Sequence, residues 1–278
     1  MIQEIRIKNY LSFRDEVVLS FEATKDTTFE ECQVANVTPK VRLLRFALIY
    51  GANASGKSNL LKAMDFLRDF WFDKKSDIDE DTGVVPFLLD TETPNEPSEF
   101  NIKFFVGDKR YWYVLVLDDK QVIKEDLYVY NSVQPSLVFS RELDGTASLI
   151  KLNASLVKAN ATIVEQLNVK CLSNMSFFAA RNQVNCSLAY IDEVRDWMKN
   201  NMMPIIEPGT RMFEYAGKQM EKNAELKAYI LDFVHKADYN ITDVYTEREK
   251  VPIPDFVKTS IMEDKDIPEK TKEKMLAD

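Results

Sequence analysis

The sequence predicts an α/β fold: a strand–loop–helix unit with a phosphate-binding loop, an antiparallel β-meander inserted after it, and a helical region behind. Three observations predict this. "LLRFALIY" (Leu43 to Tyr50) is an apolar run of strand length. "GANASGKS" (Gly51 to Ser58) follows it directly, with the spacing G-x-x-x-x-G-K-[ST]. After residue 97, apolar side chains recur with period two, broken by turn residues.

The N-terminus opens the fold with strands. Ile5 and Ile7 alternate with Glu4, Arg6 and Lys8, and Val17, Leu19 and Phe21 alternate with Val18 and Ser20. "KNYLSFRDE" between them holds the polar residues of a turn. The run Leu43 to Tyr50 suits a strand buried on both faces of a sheet. From Lys57 the period becomes helical, with Leu60, Met64, Leu67 and Trp71 on one stripe and Ala63, Phe66 and Phe70 beside it.

"DKKSDIDEDTG" (Asp73 to Gly83) is a solvated charge run, and "DTETPNEPSE" is loop-like. Phe100, Ile102, Phe104 and Val106 then form one strand, and Tyr111, Tyr113, Leu115 and Leu117 a second across a Gly107–Asp108 turn. Val122, Leu127 and Val129 suggest a third strand, and Asp144–Gly145 is a favoured hairpin turn. From residue 153 the pattern is mainly helical, and "AELKAYILDFVHK" places Leu226, Tyr229, Ile230 and Phe233 at i, i+3, i+4 and i+7. The expected organisation is 1–75 for the N-terminal strands, loop and loop helix, 76–152 for the β insertion, 153–245 for the helical region and 246–278 for a charged tail.

Residue chemistry gives the loop its expected ligand. Gly51 and Gly56 let the backbone bend where a Cβ would obstruct it. Successive N–H groups and the positive end of the next helix then face an anion. Lys57 reaches toward β- and γ-phosphates as a mobile point charge, and Ser58 offers a hydroxyl to Mg²⁺.

Composition narrows the remaining classes. The 278 residues carry a net charge of −9, so no global basic field draws the chain to nucleic acid. Cys32, Cys171 and Cys186 form neither a disulfide framework nor a metal knuckle, which predicts free thiols in a cytoplasmic protein. No apolar run approaches the roughly 20 residues that span a bilayer.

"IRIKNYLSF" followed by "ALIYGANASGKSNLLKAM" resembles the start of ATPases with an ABC-type head, including structural-maintenance-of-chromosomes and RecF-like proteins. The sequence is most similar to bacterial AAA-type ATPases of the overcoming-lysogenisation-defect and abortive-infection kind, whose loop commonly reads G-x-N-x-x-G-K-S-N. Asn53 and Asn59 fit that pattern, with Ser55 inside it. The "F-x-I-x-F" meander and the "ADYNITDVYTERE" region are also similar. The resemblance implies a P-loop NTPase head that binds ATP and Mg²⁺, with two heads sandwiching nucleotide in a homodimer or higher oligomer. It places the turn holding Asn9, Ser12 and Phe13 beside the adenine, and offers Gln183 as γ-phosphate sensor. An effector protein, DNA and a role in phage defence enter through this resemblance alone.

Such a hydrolase needs a strand ending in paired acids, and the sequence offers only imitations. "YVLVLDD" (Tyr113 to Asp119) alternates between turns and reads as a meander strand; "LAYIDE" (Leu188 to Glu193) runs on at helical spacing. "FVHKAD" differs from the guanine-reading N-K-x-D box, and His235 within it reads as a surface or packed residue. The catalytic carboxylates are therefore unassigned, and the chain reads as the ATP-binding N-terminal portion of a longer ATPase, weak or inactive alone. A nucleotide-responsive module without hydrolysis is the alternative. A P-loop kinase is disfavoured because no arginine cluster offers a lid.

Overall fold

The computed structural model describes residues 1–145, 147–247, 253–263, 272, 275 and 276. They fall into two compact units, Met1–Ile205 and Ile206–Asp278. About half of the charged tail expected over 246–278 lies outside the described residues.

The first unit is mixed α/β. Its elements in chain order begin with β1 (Ile2–Lys8), β2 (Val17–Ser20), α1 (Glu30–Gln33), β3 (Val34–Thr38), β4 (Val41–Leu44) and α2 (Lys57–Phe70). The meander follows as β5 (Ser98–Val106), β6 (Lys109–Leu117), β7 (Val122–Tyr130), β8 (Ser136–Asp144) and β9 (Ala147–Leu152). Helices α3 (Ala161–Lys170), α4 (Phe177–Arg181) and α5 (Ile191–Asn201) close the unit.

Seven strands form one antiparallel sheet in the order β2-β1-β5-β6-β7-β8-β9. The meander thus continues the sheet that the N-terminal hairpin begins, because β5 pairs with the free edge of β1. Strand alternation supplies the reason: Ile5 and Ile7 point inward with burial pattern iBiBiBi along β1, and β5 presents the same period. The register joins Ile5, Ile102, Tyr113, Leu127 and Phe139 into one apolar row across five strands. Helix α2 buries Leu60, Ala63, Leu67 and Phe70. Phe66 meets Phe100 at 5.3 Å between ring centroids, and Trp71 stands edge-on to Tyr113 at 5.7 Å.

A buried polar network ties this sheet to the segment before α4. Glu125 and Arg141 are both fully buried and pair at 3.3 Å. Glu125 also accepts from Tyr113 Oη, Ser176 Oγ and the Phe177 amide, while Arg141 donates to the carbonyls of Leu172, Ser173 and Met175. Every charge here has directed partners, which is what burial of an ion pair demands.

One expectation fails locally. The run Leu43–Tyr50 is not one buried strand: β4 stops at Leu44, and residues 46–50 form no ladder among the described residues. Phe46, Leu48 and Tyr50 are 65%, 75% and 91% exposed. A strand buried on both faces needs a neighbour at each edge, and no described strand lies there to supply one. The start of that run belongs to a separate two-stranded hairpin, β3–β4, with Ala35 opposite Leu43.

The second unit contains α6 (Phe213–Lys222), α7 (Ala224–Lys236) and α8 (Asp255–Glu263). Asn223 caps α7 by accepting from the Leu226 amide at 3.0 Å. Leu226, Ile230, Leu231 and Val234 are half-buried, whereas Tyr229 and Phe233 of the expected stripe are exposed. Gly217 allows close approach in α6, since a Cβ there would come within 2.5 Å of the Thr246 methyl. No described helix is long and apolar enough to cross a membrane.

Candidate phosphate-binding site

The loop between residue 50 and α2 alternates backbone hand. Ala54 and Gly56 have φ of +64° and +89°, with Ser55 between them on the negative side. Such alternation turns successive peptide N–H groups toward one concave side, the geometry of an anion nest. Gly56 is also the N-cap of α2 and brings no side-chain cap. The Leu60 amide takes the Gly56 carbonyl at 3.1 Å, so the amides of Lys57, Ser58 and Asn59 precede the first intrahelical bond. Uncapped amides and the helix dipole both favour negative charge here.

The side chains leave the mouth of the nest open. Gly51 to Ser55 are exposed, with Asn53 among them. The Lys57 ammonium bends back over the loop, donating to the Gly51 carbonyl at 3.0 Å and the Ala52 carbonyl at 2.7 Å. An arriving phosphate oxygen can replace one of these carbonyls or take the third N–H. Ser58 is exposed on the first turn, with its hydroxyl unengaged among the described residues.

The β1–β2 turn lies against this loop. Asn59 Nδ2 donates to Ser12 Oγ at 2.8 Å. A Cβ at Gly56 would stand 2.9 Å from both Ser12 Oγ and the Phe13 ring. Ser12 and Phe13 are thus brought to the loop. Asn9 is committed elsewhere: fully buried, it donates to the carbonyls of Thr93 and Glu96 at 2.8 and 2.7 Å and accepts from the Phe87 amide at 2.9 Å.

Tyr10, which sequence reasoning missed, fastens the same turn to α2. Its hydroxyl donates to the Lys62 carbonyl at 3.3 Å and its ring meets Phe100 at 5.2 Å. Burial first, then the charge of Asp65, pushes its hydroxyl up to about 12. The signal available in sequence was an aromatic residue, with Leu11 and Phe13 near it, within an otherwise polar turn.

Gln183 stands apart from the loop. Its amide donates to Ala179 at 3.4 Å, and it lines a hollow of about 400 Å³ with Glu165, Gln166, Val169, Lys170 and Val184. The acid-tipped imitations are equally remote in kind. Tyr113 to Leu117 lies within β6, paired antiparallel with β5 and β7, and Ile191 begins α5. Among the described residues no group of three or more acids, histidines or cysteines is arranged to hold a metal ion. The hard-oxygen donor that the loop itself offers Mg²⁺ is the Ser58 hydroxyl, which suits an ion held mainly by phosphates and water.

No curated protein and no solved structure matches the chain. Residues 46–151 match a family model described as "AAA domain, putative AbiEii toxin, Type IV TA system". The matched stretch starts at the exposed apolar segment, takes in the loop and α2, and runs through β5 to β9. The meander is therefore part of the matched domain. That match implies a P-loop NTPase domain with nucleotide binding, carried by residues 46–151.

Proposed function

We propose that Gly51 to Asn59 binds ATP with Mg²⁺ and that the chain is the nucleotide-binding part of an ABC-like AAA-type ATPase. The observation that carries this is the alternating hand at Ala54 and Gly56, beside an uncapped helix start and an ammonium folded over the opening. In this reading the amides from Asn53 to Asn59 and the Lys57 ammonium would hold the phosphates, and the Ser58 hydroxyl would be a ligand of the metal. Ser12 and Phe13 flank the nucleotide on the β1–β2 side, and Asn9 supports them from below. Gln183 keeps a sensing role only if the helical segment around it moves toward the loop.

Hydrolysis in this reading belongs to an assembly larger than the described residues. A water-positioning carboxylate on a strand beside the loop is absent among them, and the 46–50 segment lacks the neighbour such a strand would provide. An exposed cradle also leaves room for a second copy over the nucleotide. The match to a family associated with type IV toxin–antitoxin systems supports a place in phage defence.

Titration calorimetry with ATP and Mg²⁺ tests the reading. Saturable binding is expected, weakened at least tenfold in Lys57→Ala; a flat titration would overturn it. Phosphate release should stay near background, and vigorous turnover abolished by Lys57→Ala would sink the view of hydrolysis. The missing acidic strand favours a second reading, a nucleotide-controlled association module. ATP-dependent oligomerisation without turnover, even by the assembled protein, distinguishes it.

A further inference from the structure

We propose that the β1–β2 turn is a clasp that holds the phosphate loop in its anion-binding shape, with Ser12 and Asn59 as positioning residues. The proposal deepens the nucleotide-binding reading and rests on it for its functional consequence. Its geometric content stands alone.

Three observations converge. First, Asn59 on the opening turn of α2 reaches out of its helix to Ser12 Oγ at 2.8 Å. Second, Ser12 Oγ and the Phe13 ring each stand 2.9 Å from where a Gly56 Cβ would be, at the residue whose φ of +89° ends the nest. The turn therefore touches the loop on both sides of Lys57. Third, the turn itself is held from several directions. Asn9 and Leu11 adopt φ of +51° and +50°, a conformation that persists in non-glycine residues only when its surroundings over-determine it. The Asn9 side chain fastens residues 87, 93 and 96, the Leu11 amide donates to Val85 at 2.9 Å, and Tyr10 Oη reaches Lys62.

A nest with an open, solvated mouth needs such support. Its inward-facing amides repel one another when no anion is present, and the Lys57 ammonium, which donates to two carbonyls, offers those amides no acceptor. The clasp grips the loop at Gly56 and Asn59, and residues 51–55 stay exposed. Fixing Gly56 and Asn59 keeps the amides of residues 56–59 aimed before nucleotide arrives, which lowers the ordering cost of binding.

The test uses the whole chain with Ser12→Ala, Asn59→Ala, the double variant and Ser12→Thr. Hydrogen–deuterium exchange of amides 52–60 without nucleotide is the first readout, and the dissociation constant for ATP with Mg²⁺ is the second. Each alanine variant should speed exchange in the loop and weaken binding about three- to tenfold, the size of one net hydrogen bond. The double variant should be no worse than either single, Ser12→Thr should restore both readouts, and exchange in β6 and β7 should not change. If Ser12→Ala fails to fold, Asn59→Ala probes the same bond from a half-exposed helix position. Unchanged loop exchange in Asn59→Ala, or additive effects in the double variant, would overturn the clasp. Wild-type protein that ignores ATP while its variants still loosen the loop would sink the nucleotide reading and keep the clasp.

Discussion

Gly56 joins two constraints that act at one atom. Its left-handed backbone disfavours any L side chain by about 1–2 kcal/mol, and its missing Cβ makes room for Ser12 and Phe13. Gly56→Ala should therefore lower unfolding free energy by about 1–3 kcal/mol in urea and weaken ATP binding further than Ser12→Ala does. Tyr10 gives a prediction in pH. Its folded-state hydroxyl titrates near 12, above the ordinary 10, so the folded form keeps a proton that the unfolded form releases earlier. The stabilisation is fully present below pH 10 and is lost as pH rises from 10 to 12. Tyr128, also pushed up to about 12 by burial and by Asp126, adds to the same loss. Urea midpoints flat to pH 9 and falling above 10, with delayed phenolate absorbance, would match; a phenolate rise complete by pH 10.5 would not. At this scale the loop residues were legible because their types and spacing are the chemistry itself. The role of Asn9 was not legible, since its partners lie more than seventy residues further along the chain.

At the scale of elements, period two announced β5, β6 and β7 because one face of the sheet is buried and the other is wet. The same pattern was silent about partners: Ile5 and Ile102 look alike whether or not they are neighbours, so the join of β1 to β5 appears only in the structure. The β3–β4 hairpin escaped notice because its strands are short and only Val34 and Leu43 within them are buried. Glu125 and Arg141 were also hidden, as charged residues inside strands read as outward-facing. Arg141→Met would leave the Glu125 carboxylate buried without its cation, and should cost about 3–5 kcal/mol in urea unfolding. The double change Glu125→Leu with Arg141→Met should recover part of that loss, because the uncompensated charge goes with its partner. A double variant as unstable as the single would mean that the hydrogen bonds to residues 172–177 outweigh the charge pairing.

For the whole molecule, the informative conflict lies at residues 46–50. Local composition demands burial there, while the described fold leaves Phe46, Leu48 and Tyr50 in solvent just ahead of the phosphate loop. The family match begins at this segment, which places the conflict inside the matched domain rather than at its margin. Two accounts make opposite stability predictions. If the segment is exposed, Leu48→Ser with Ile49→Ser should change urea unfolding of this chain by less than about 0.5 kcal/mol, the usual range for surface positions. If it were buried as the sequence suggests, the loss per aliphatic residue would be about 2–5 kcal/mol. An exposed apolar segment also attracts partners, because its backbone groups and side chains can pair with another chain's strand. The wild-type chain should therefore self-associate with rising concentration in sedimentation velocity, and the double serine variant should stay monomeric over the same range. Equal association by both proteins would locate the sticky surface elsewhere. An intact fold together with lost association would identify residues 46–50 as the surface through which the chain self-associates.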